Sequence, residues 1–167
     1  MTSSQTLPSR PANAYAVYRH DGQFALLAAA AVAPAKRILT LDGEVHPTPT
    51  RESVQIGFQH HIDAPASATL EERMDRFPYL FLNHSCEPNA RIVGRDLVAL
   101  QAIAPGEEVT FDYETNEYDL ASPFPCACGA RSCRSHIRGY RYLPLEAKAQ
   151  ALHQTASHLI AQDETPS

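Results

Sequence analysis

The first third of the chain alternates short apolar runs with proline, glycine and charged residues. The runs are Tyr15–Tyr18, Phe24–Val32, Ile38–Leu41 and Val54–Phe58. Short apolar runs separated by turn-forming residues are typical of β-strands. The pattern therefore predicts several short strands over residues 14–62 and favours a mainly β fold.

Further along the chain, the same pattern predicts a hairpin and one more strand. Residues 91–104 carry apolar positions on both sides of a Gly-Arg-Asp turn at 94–96, which favours two paired strands. Residues 109–113 follow a Pro-Gly turn and are predicted to form a strand. The charged patch at 71–76 is expected to be a loop or a helical turn. Residues 123–133 are too rich in proline and glycine to predict regular structure.

The pattern changes after Pro144, where apolar residues recur every three or four positions. These residues are Leu145, Ala149, Leu152, Ala156, Leu159 and Ile160. This spacing is typical of an amphipathic helix, and proline suits a first helical position. We expect one helix over residues 144–161 that packs back on the domain. The alternative is that this helix joins two copies of the chain as a homodimer.

Length, composition and charge limit the class of protein. A chain of 167 residues and 18.4 kDa suits one domain with tails, and the Ser/Thr/Pro-rich residues 1–13 are expected to be a disordered tail. The 44% apolar and 20% charged residues are typical of a globular protein. A net charge of −5 argues against direct nucleic-acid binding through phosphates. No apolar run approaches the roughly 20 residues that span a membrane, so no membrane association is expected.

One segment imitates a secretion signal. Residues 24–33 form an Ala-rich apolar run with arginines before it. However, 23 residues precede this run, and Asp21 lies at its edge. We therefore favour a buried strand pair over a signal peptide, and with it a cytoplasmic location.

The four cysteines are Cys86, Cys126, Cys128 and Cys133, and three of them fall within eight residues. An even count would suit disulfides in a secreted chain, but Cys126 and Cys128 are too close to pair comfortably. Clustered thiols in an intracellular chain suit a metal better, and zinc takes four soft ligands in a tetrahedron. The cysteines therefore predict a structural zinc site, with disulfides as the alternative and His136 as a rival ligand.

Three stretches carry the most specific signal. They are Phe81-Leu-Asn-His-Ser-Cys-Glu-Pro-Asn89, Pro105-Gly-Glu-Glu-Val-Thr-Phe-Asp-Tyr113 and Cys126-Ala-Cys-Gly-Ala-Arg-Ser-Cys133. In sequence, order and separation they resemble the SET-domain family of protein-lysine methyltransferases, with its cysteine-rich post-SET segment. The resemblance is close over residues 81–139 and looser from about residue 15 to 80. In length the chain looks like the short SET proteins of bacteria.

This resemblance implies a SET-domain fold of several small twisted sheets with a knot-like core. The segments around Asn83 and Tyr113 would thread together in that core, and zinc would staple the post-SET segment to it. The implied division is a SET domain over 14–122, a post-SET zinc segment over 123–142, and a C-terminal α-helix and tail over 143–167.

The resemblance also implies an activity, the transfer of a methyl group from S-adenosylmethionine to the ε-amine of a protein lysine. Cofactor and lysine would enter from opposite faces and meet in a narrow channel. By position, Asn83 and His84 are the expected cofactor-binding pair, and Ile137 is expected to cover the adenine. Tyr113 is the expected catalytic tyrosine, which also touches the cofactor. Tyr140 or Tyr142 is expected to line the lysine channel.

The charge pattern gives a hint about the substrate that does not depend on the resemblance. No lysine or arginine occurs from Asp96 to Ser122. After Asp96, the acidic residues in that span are Glu107, Glu108, Asp112, Glu114, Glu117 and Asp119. An acidic rim beside Tyr113 would attract a basic peptide or protein that presents a lysine. The alternative is an ordinary solvated face.

Several positions depart from the family pattern. Residues 23–25, Gln-Phe-Ala, stand where the family has Gly-x-Gly, and their side chains could obstruct a cofactor that must approach bare backbone. Leu80 replaces an arginine, Ser135 replaces a glycine, and residues 53–54 hold no second tyrosine. Two alternative functions therefore stay open. One is a related enzyme that acts on a small amine, and the other is a zinc-stapled binding module without methyl transfer.

Overall fold

The computed structural model describes residues 14–165, and this part of the chain is mainly β. Its strands, in chain order, are β1 (Tyr15–His20), β2 (Gln23–Ala28), β3 (Arg37–Thr40), β4 (Glu44–His46), β5 (Val54–Gly57), β6 (His60–Asp63), β7 (Asn83–His84), β8 (Ala90–Val93), β9 (Asp96–Ala99), β10 (Thr110–Phe111), β11 (Phe124–Pro125) and β12 (His136–Ile137). The tail expected at residues 1–13 lies outside the described residues.

The helices of the described range are short. They are α1 (Leu70–Arg76), α2 (Leu145–Gln150) and α3 (Ser157–Asp163), with 3-10 turns at Pro78–Phe81, Tyr113–Thr115, Tyr140–Tyr142 and Leu152–Gln154. α1 begins at a capping box, in which Thr69 and Glu72 exchange side-chain to backbone hydrogen bonds. Within residues 14–165, no helix combines the length and the apolar character needed to cross a bilayer.

The strands form five small sheets rather than one large one. β1 pairs with β2, β4-β6-β5 and β3-β9-β8 are three-stranded, and β11 pairs with β12. The strands expected in the first third of the chain are confirmed as β1, β2, β3 and β5, and the expected hairpin is β8–β9. The β11–β12 pair was not expected, because its two-residue strands lie in a segment too rich in proline for a pattern to be visible.

The fifth sheet brings the motif segments together. β7 and β10 run parallel, with Asn83 opposite Thr110 and His84 opposite Phe111. The strand expected over 109–113 ends after Phe111, because the Asp112 side chain accepts a hydrogen bond from the Glu114 N–H and starts a helical turn there. Tyr113 is therefore the first residue of that turn.

The apolar core has two parts. The larger cluster is drawn from the sheets and includes the fully buried residues Leu26, Ile62, Leu97 and Val109. The smaller cluster joins the end of the post-SET segment to the C-terminal elements, and its members are Tyr140, Leu143, Ala156 and Leu159. The domain boundaries expected at 122/123 and 142/143 stay predictions.

The single helix expected over 144–161 is wrong, because the chain breaks into α2, a 3-10 turn and α3. At the break, residues of this region form hydrogen bonds with another part of the chain. The Ala156 N–H donates to the Thr115 carbonyl at 2.8 Å, and the His158 ring contacts the Asn116 carbonyl at 2.8 Å. These bonds bury Leu159 but leave Leu145 and Leu152 exposed. A homodimer contact through this region stays a prediction.

Candidate active site

A cleft of about 980 Å³ opens where the motif segments meet. Its walls come from the start of β2, the end of the loop before β5, the residues flanking β7, the turn at Tyr113 and residues 120–128. The expected site residues Asn83, His84 and Tyr113 all line this cleft. A cleft of this size is in the range that proteins use to bind small molecules.

Tyr113 is held in the cleft by its hydroxyl and its ring. The hydroxyl donates to the Leu82 carbonyl at 2.6 Å. The ring packs against Phe111 and Phe124, with centroid distances of 4.8 and 5.9 Å. Burial, followed by the charges of Glu117 and Glu108, raises the pKa of Tyr113 above its usual value. The phenol therefore stays protonated, and its oxygen keeps lone pairs for a ligand because its proton is already donated.

His84 joins the turn at Tyr113 to the cysteines. Its Nδ1 accepts the Tyr113 N–H at 3.1 Å, so the ring proton lies on Nε2, 3.2 Å from the sulfur of Cys86. Burial, and then the charge of Arg134, lowers the pKa of His84 to about 4. Both ring nitrogens are therefore used inside the protein, and only the backbone of His84 is left for a cofactor.

Asn83 fixes the start of β2 against the strand pair. Its Nδ2 donates to the Phe24 carbonyl at 2.9 Å and to the Glu108 carboxylate at 2.7 Å. No hydrogen bond within residues 14–165 engages its Oδ1, which remains an acceptor at the cleft. Of the Gln-Phe-Ala segment, only Gln23 lines the cleft, because Phe24 packs on Phe81 with a centroid distance of 4.9 Å. Gln23 is therefore the side chain of this segment that a ligand in the cleft would meet, and the obstruction itself stays a prediction.

The four cysteines form one cluster beside the cleft. Their sulfur atoms all lie within 4.8 Å of one another, and none of them is in a disulfide. Four thiolates at zinc–sulfur distances of roughly 2.3 Å have similar separations, so the donor set fits tetrahedral zinc. Cys86 follows β7, whereas Cys126, Cys128 and Cys133 lie between β11 and β12. A metal here would staple the post-SET segment to the strand pair, and His136 is outside the group.

Arg134 connects this segment to both neighbours of Tyr113. Its Nη2 bonds Asp112, and its Nε lies 2.8 Å from Glu114 as an ion pair without hydrogen-bond geometry. Its backbone N–H donates to the sulfur of Cys86 at 3.4 Å. The Asp112 and Glu114 side chains are 0% and 3% exposed, so Arg134 is the cation that makes their burial tolerable.

Replacing Arg134 with alanine is expected to lower the free energy of unfolding by about 3 kcal/mol or more, because two buried carboxylates lose their cation. The measurement is urea unfolding of the zinc-loaded protein. Arg141→Ala is the matched control, since its ion pair with Asp119 is 48% and 44% exposed and should contribute far less. Equal losses in the two variants would show that Arg134 is not the anchor of this segment.

The other expected site residues do not reach the cleft. Ile137 is fully buried in β12, opposite Phe124, so its contact with an adenine stays a prediction. Tyr140 belongs to the smaller apolar cluster. Tyr142 is 42% exposed and stacks with Arg138 and Arg141. Neither tyrosine lines the cleft that contains Tyr113.

The expected acidic rim is wrong for half of its members. Asp112, Glu114 and Glu117 are buried, and the first two are paired with Arg134. A run of acids gives no sign of which carboxylates turn inward, because the pairing cation is 20 or more residues further along the chain. Glu117, which was expected only as part of the rim, and Phe124, which was not expected at the site, both line the cleft. Only the isolated position of Phe124 before the cysteines could have suggested a wall.

Known proteins are similar to this chain in sequence. Human histone-lysine N-methyltransferase 2B is 42% identical over 65 residues, which are 34% of this chain and 2% of that protein. The H3 lysine-9 specific histone-lysine N-methyltransferase KMT1 of Fusarium mangiferae is 33% identical over 100 residues, 48% of this chain and 29% of that protein. The chain thus spans less than a third of the length of either relative.

A solved structure agrees with the fold. The structure of KRYPTONITE in complex with mCHG DNA and SAH superposes with a TM-score of 0.54 at 23% identity, over 77% of this chain and 30% of that one. A sequence model described as SET domain matches residues 10–114, which is more than half of the chain. With its small sheets, its parallel β7–β10 pair and its cysteine cluster, the chain belongs to the SET-domain family.

Proposed function

We propose that this protein transfers a methyl group from S-adenosylmethionine to the ε-amine of a lysine in a protein. The observation that carries the proposal is the Tyr113 hydroxyl, which donates to the Leu82 carbonyl in the cleft that Asn83 and His84 also line. Membership of the SET-domain family and relatives named as histone-lysine N-methyltransferases support the same reaction.

The residues of the cleft fit the cofactor. The free Oδ1 of Asn83 can accept a hydrogen bond from the ammonium group of S-adenosylmethionine. Glu108, which is hydrogen-bonded to Asn83, adds a negative charge nearby. The backbone of His84, whose ring is fully used, remains for the adenine side. Gln23 is the one side chain of the altered segment at the cleft, so its rotamer sets how closely the cofactor can approach.

Alignment and exclusion of water account for catalysis in this proposal. S-adenosylmethionine, when bound, supplies a methyl group on a sulfonium, so no acid is required to expel the leaving group. The Tyr113 oxygen can orient the incoming amine through its lone pairs without removing its nucleophilicity. Leu82 and Phe111 give the cleft apolar walls, which strengthen these polar contacts. Zinc on the four cysteines would act structurally, because four thiolates leave no open position for substrate.

The proposed substrate is a protein that presents a lysine, with histones as the first class to test because both relatives are named for them. With three of the six acids buried, the exposed or half-buried Glu107, Glu108 and Asp119 are what remains to attract a basic chain. From the resemblance we also infer that the chain is a short bacterial-type SET protein and that it is located in the cytoplasm.

Calorimetry of the zinc-loaded full chain with S-adenosylmethionine and S-adenosylhomocysteine tests the cofactor step first. Micromolar binding is expected. Labelled S-adenosylmethionine is then incubated with core histones, with an H3(1–15) peptide and with free lysine, and mass spectrometry locates the methyl group. Label on a protein lysine supports the proposal, and label on free lysine alone favours the small-amine enzyme. Absence of binding by folded protein favours a binding module without methyl transfer.

A further inference from the structure

Glu117 is a buried acid at the cleft that the reaction described above does not use. Its surface is 4% exposed, yet it is one of the residues that line the cleft with Tyr113. Its backbone N–H donates to the Tyr113 carbonyl at 2.7 Å, which fixes the two residues on one helical turn. The carboxylate is therefore placed by the same turn that places the phenol.

One oxygen of Glu117 is fixed and the other is available. Oε1 accepts the Gln55 N–H at 2.7 Å and the Asn116 side-chain amide at 3.1 Å. Asn116 in turn donates to the Gln55 carbonyl at 2.9 Å, so the carboxylate is anchored to β5. No hydrogen bond within residues 14–165 engages Oε2. Because Glu117 lines the cleft, Oε2 is the part of this side chain left for a ligand.

No cation of the described range compensates the charge of Glu117. Arg134 pairs with Asp112 and Glu114 instead, and Glu117 forms no ion pair within residues 14–165. Burying a carboxylate without a cation costs several kcal/mol. A glutamine would satisfy Gln55 equally well through its own carbonyl oxygen, so the anchoring alone does not explain an acid at this position. An uncompensated buried carboxylate at a cleft is typical of a group that receives a cation or a proton.

Among the titratable groups around Glu117, Glu117 itself is the one suited to accept a proton near pH 7. Burial raises the pKa of Glu117 to about 7, and the hydrogen bonds from Gln55 and Asn116 oppose the shift. Tyr113 faces it from the same turn and stays protonated. His61 on β6 lies opposite Gln55, and His158 on α3 contacts the Asn116 carbonyl. Burial lowers the pKa of both histidines, so they are neutral near pH 7.

The loop before β5 contributes two more charged residues to the cleft. They are Arg51 and Glu52, and Glu52 is paired with Arg73 at 2.6 Å. Because Glu52 is already paired with Arg73, it does not compete with Glu117 for a substrate cation. Among residues 14–165, Glu117 is thus the lining carboxylate that has no partner cation.

We propose that Glu117 binds the protonated amine of the substrate through Oε2 and accepts its proton, so that the neutral amine attacks beside Tyr113. This inference rests on the proposed methyl transfer. An ammonium that enters the cleft is attracted to Glu117, which among the described residues is the lining carboxylate without a partner cation. A base with a pKa near the working pH is the best suited to such a transfer.

The step balances in protons and electrons. The substrate ammonium gives one proton to the Glu117 carboxylate and becomes an amine with a free electron pair. That pair forms the new N–C bond while the C–S bond of the cofactor breaks, and the C–S electrons stay on sulfur as S-adenosylhomocysteine. The methylated nitrogen carries the positive charge, and Glu117 releases its proton to water when the cleft opens to product.

The test is the pH dependence of kcat/KM for wild type and for Glu117→Gln, with the H3(1–15) peptide or whichever of the three substrates is methylated. With Glu117 as base, the wild-type value should rise to about pH 7 and then stay level to about pH 10, where the lysine itself loses its proton. Without the base, only the scarce neutral lysine reacts. The variant should therefore be lower by about 1000-fold near pH 7 and climb steadily until it approaches wild type near pH 10.

Controls separate a lost base from a lost charge or a lost fold. Glu146→Gln removes a carboxylate from exposed α2 and should leave the profile unchanged. Calorimetry with S-adenosylhomocysteine should give a similar affinity for wild type and Glu117→Gln. If Glu117→Gln does not fold, carbon NMR of glutamate-labelled wild type decides, since one carboxyl resonance should titrate near pH 7.

Each outcome has one meaning. Parallel pH profiles for wild type and Glu117→Gln, a wild-type profile that climbs throughout, or no glutamate titrating near pH 7 would overturn the role of Glu117. Wild type that binds cofactor but methylates none of the three substrates would instead overturn the proposed function. The two failures are therefore distinguishable from the wild-type measurements alone.

Discussion

Removal of zinc is expected to abolish both cofactor binding and methyl transfer, without unfolding the larger apolar cluster. The four cysteines join residue 86 to residues 126–133, and the segment that they hold contributes Phe124, Cys126 and Cys128 to the wall of the cleft. Zinc binding supplies about 10–16 kcal/mol in zinc-finger peptides, far more than this segment can obtain from its two-residue strands. The larger cluster contains no residue after Phe111, so its packing does not depend on that segment.

Three measurements follow the loss of zinc from the full chain treated with a chelator. Metal analysis should give one zinc for each chain before treatment and none after it. Calorimetry with S-adenosylhomocysteine should lose its signal, whereas far-ultraviolet circular dichroism should keep most of the β signal. Added zinc should restore binding, because the role that we propose for the metal is to hold the post-SET segment in place.

Single substitutions sharpen the zinc prediction. Cys133→Ser removes one of the four ligands and should behave as the zinc-free protein does. His136→Ala should keep its zinc, because this histidine lies outside the cluster. A Cys133→Ser protein that retained zinc and bound cofactor normally would contradict the four-thiol assignment.

The motif residues could be predicted from sequence because each motif is a short continuous stretch of the chain. Asn83, His84 and Tyr113 come together through a parallel pair of only two residues in each strand, which no hydrophobic pattern reveals. The resemblance supplied this proximity. The cysteine cluster could be predicted from spacing and thiol chemistry alone, because zinc takes four soft ligands and the chain has four cysteines.

The errors arise where distant parts of the chain compete with a local pattern. The apolar repeat after Pro144 is genuine, but hydrogen bonds to the carbonyls of Thr115 and Asn116 interrupt the helix. The acidic run is also genuine, but Arg134 draws Asp112 and Glu114 inward. In both cases the partner is remote in sequence, and periodicity carries no information about it.

Replacing Tyr113 with phenylalanine is expected to lower kcat by about 100- to 1000-fold and to leave the affinity for S-adenosylhomocysteine nearly unchanged. Phenylalanine preserves the ring contacts with His84, Phe111 and Phe124. What is lost is the hydroxyl, the group that we propose orients the amine. The Leu82 carbonyl also loses its donor, so the free energy of unfolding should fall by about 1–3 kcal/mol.

The pH profile separates the role of Tyr113 from that of Glu117. A phenol that orients the amine without exchanging a proton should, when removed, lower the whole profile of kcat/KM equally at every pH, because Glu117 still accepts the proton. Tyr18→Phe is the matched control, since Tyr18 is 51% exposed on β1 and should change neither turnover nor binding. Full turnover by Tyr113→Phe would remove the catalytic role from this hydroxyl. A change in the shape of the profile would mean that Tyr113, and not Glu117 alone, handles the proton.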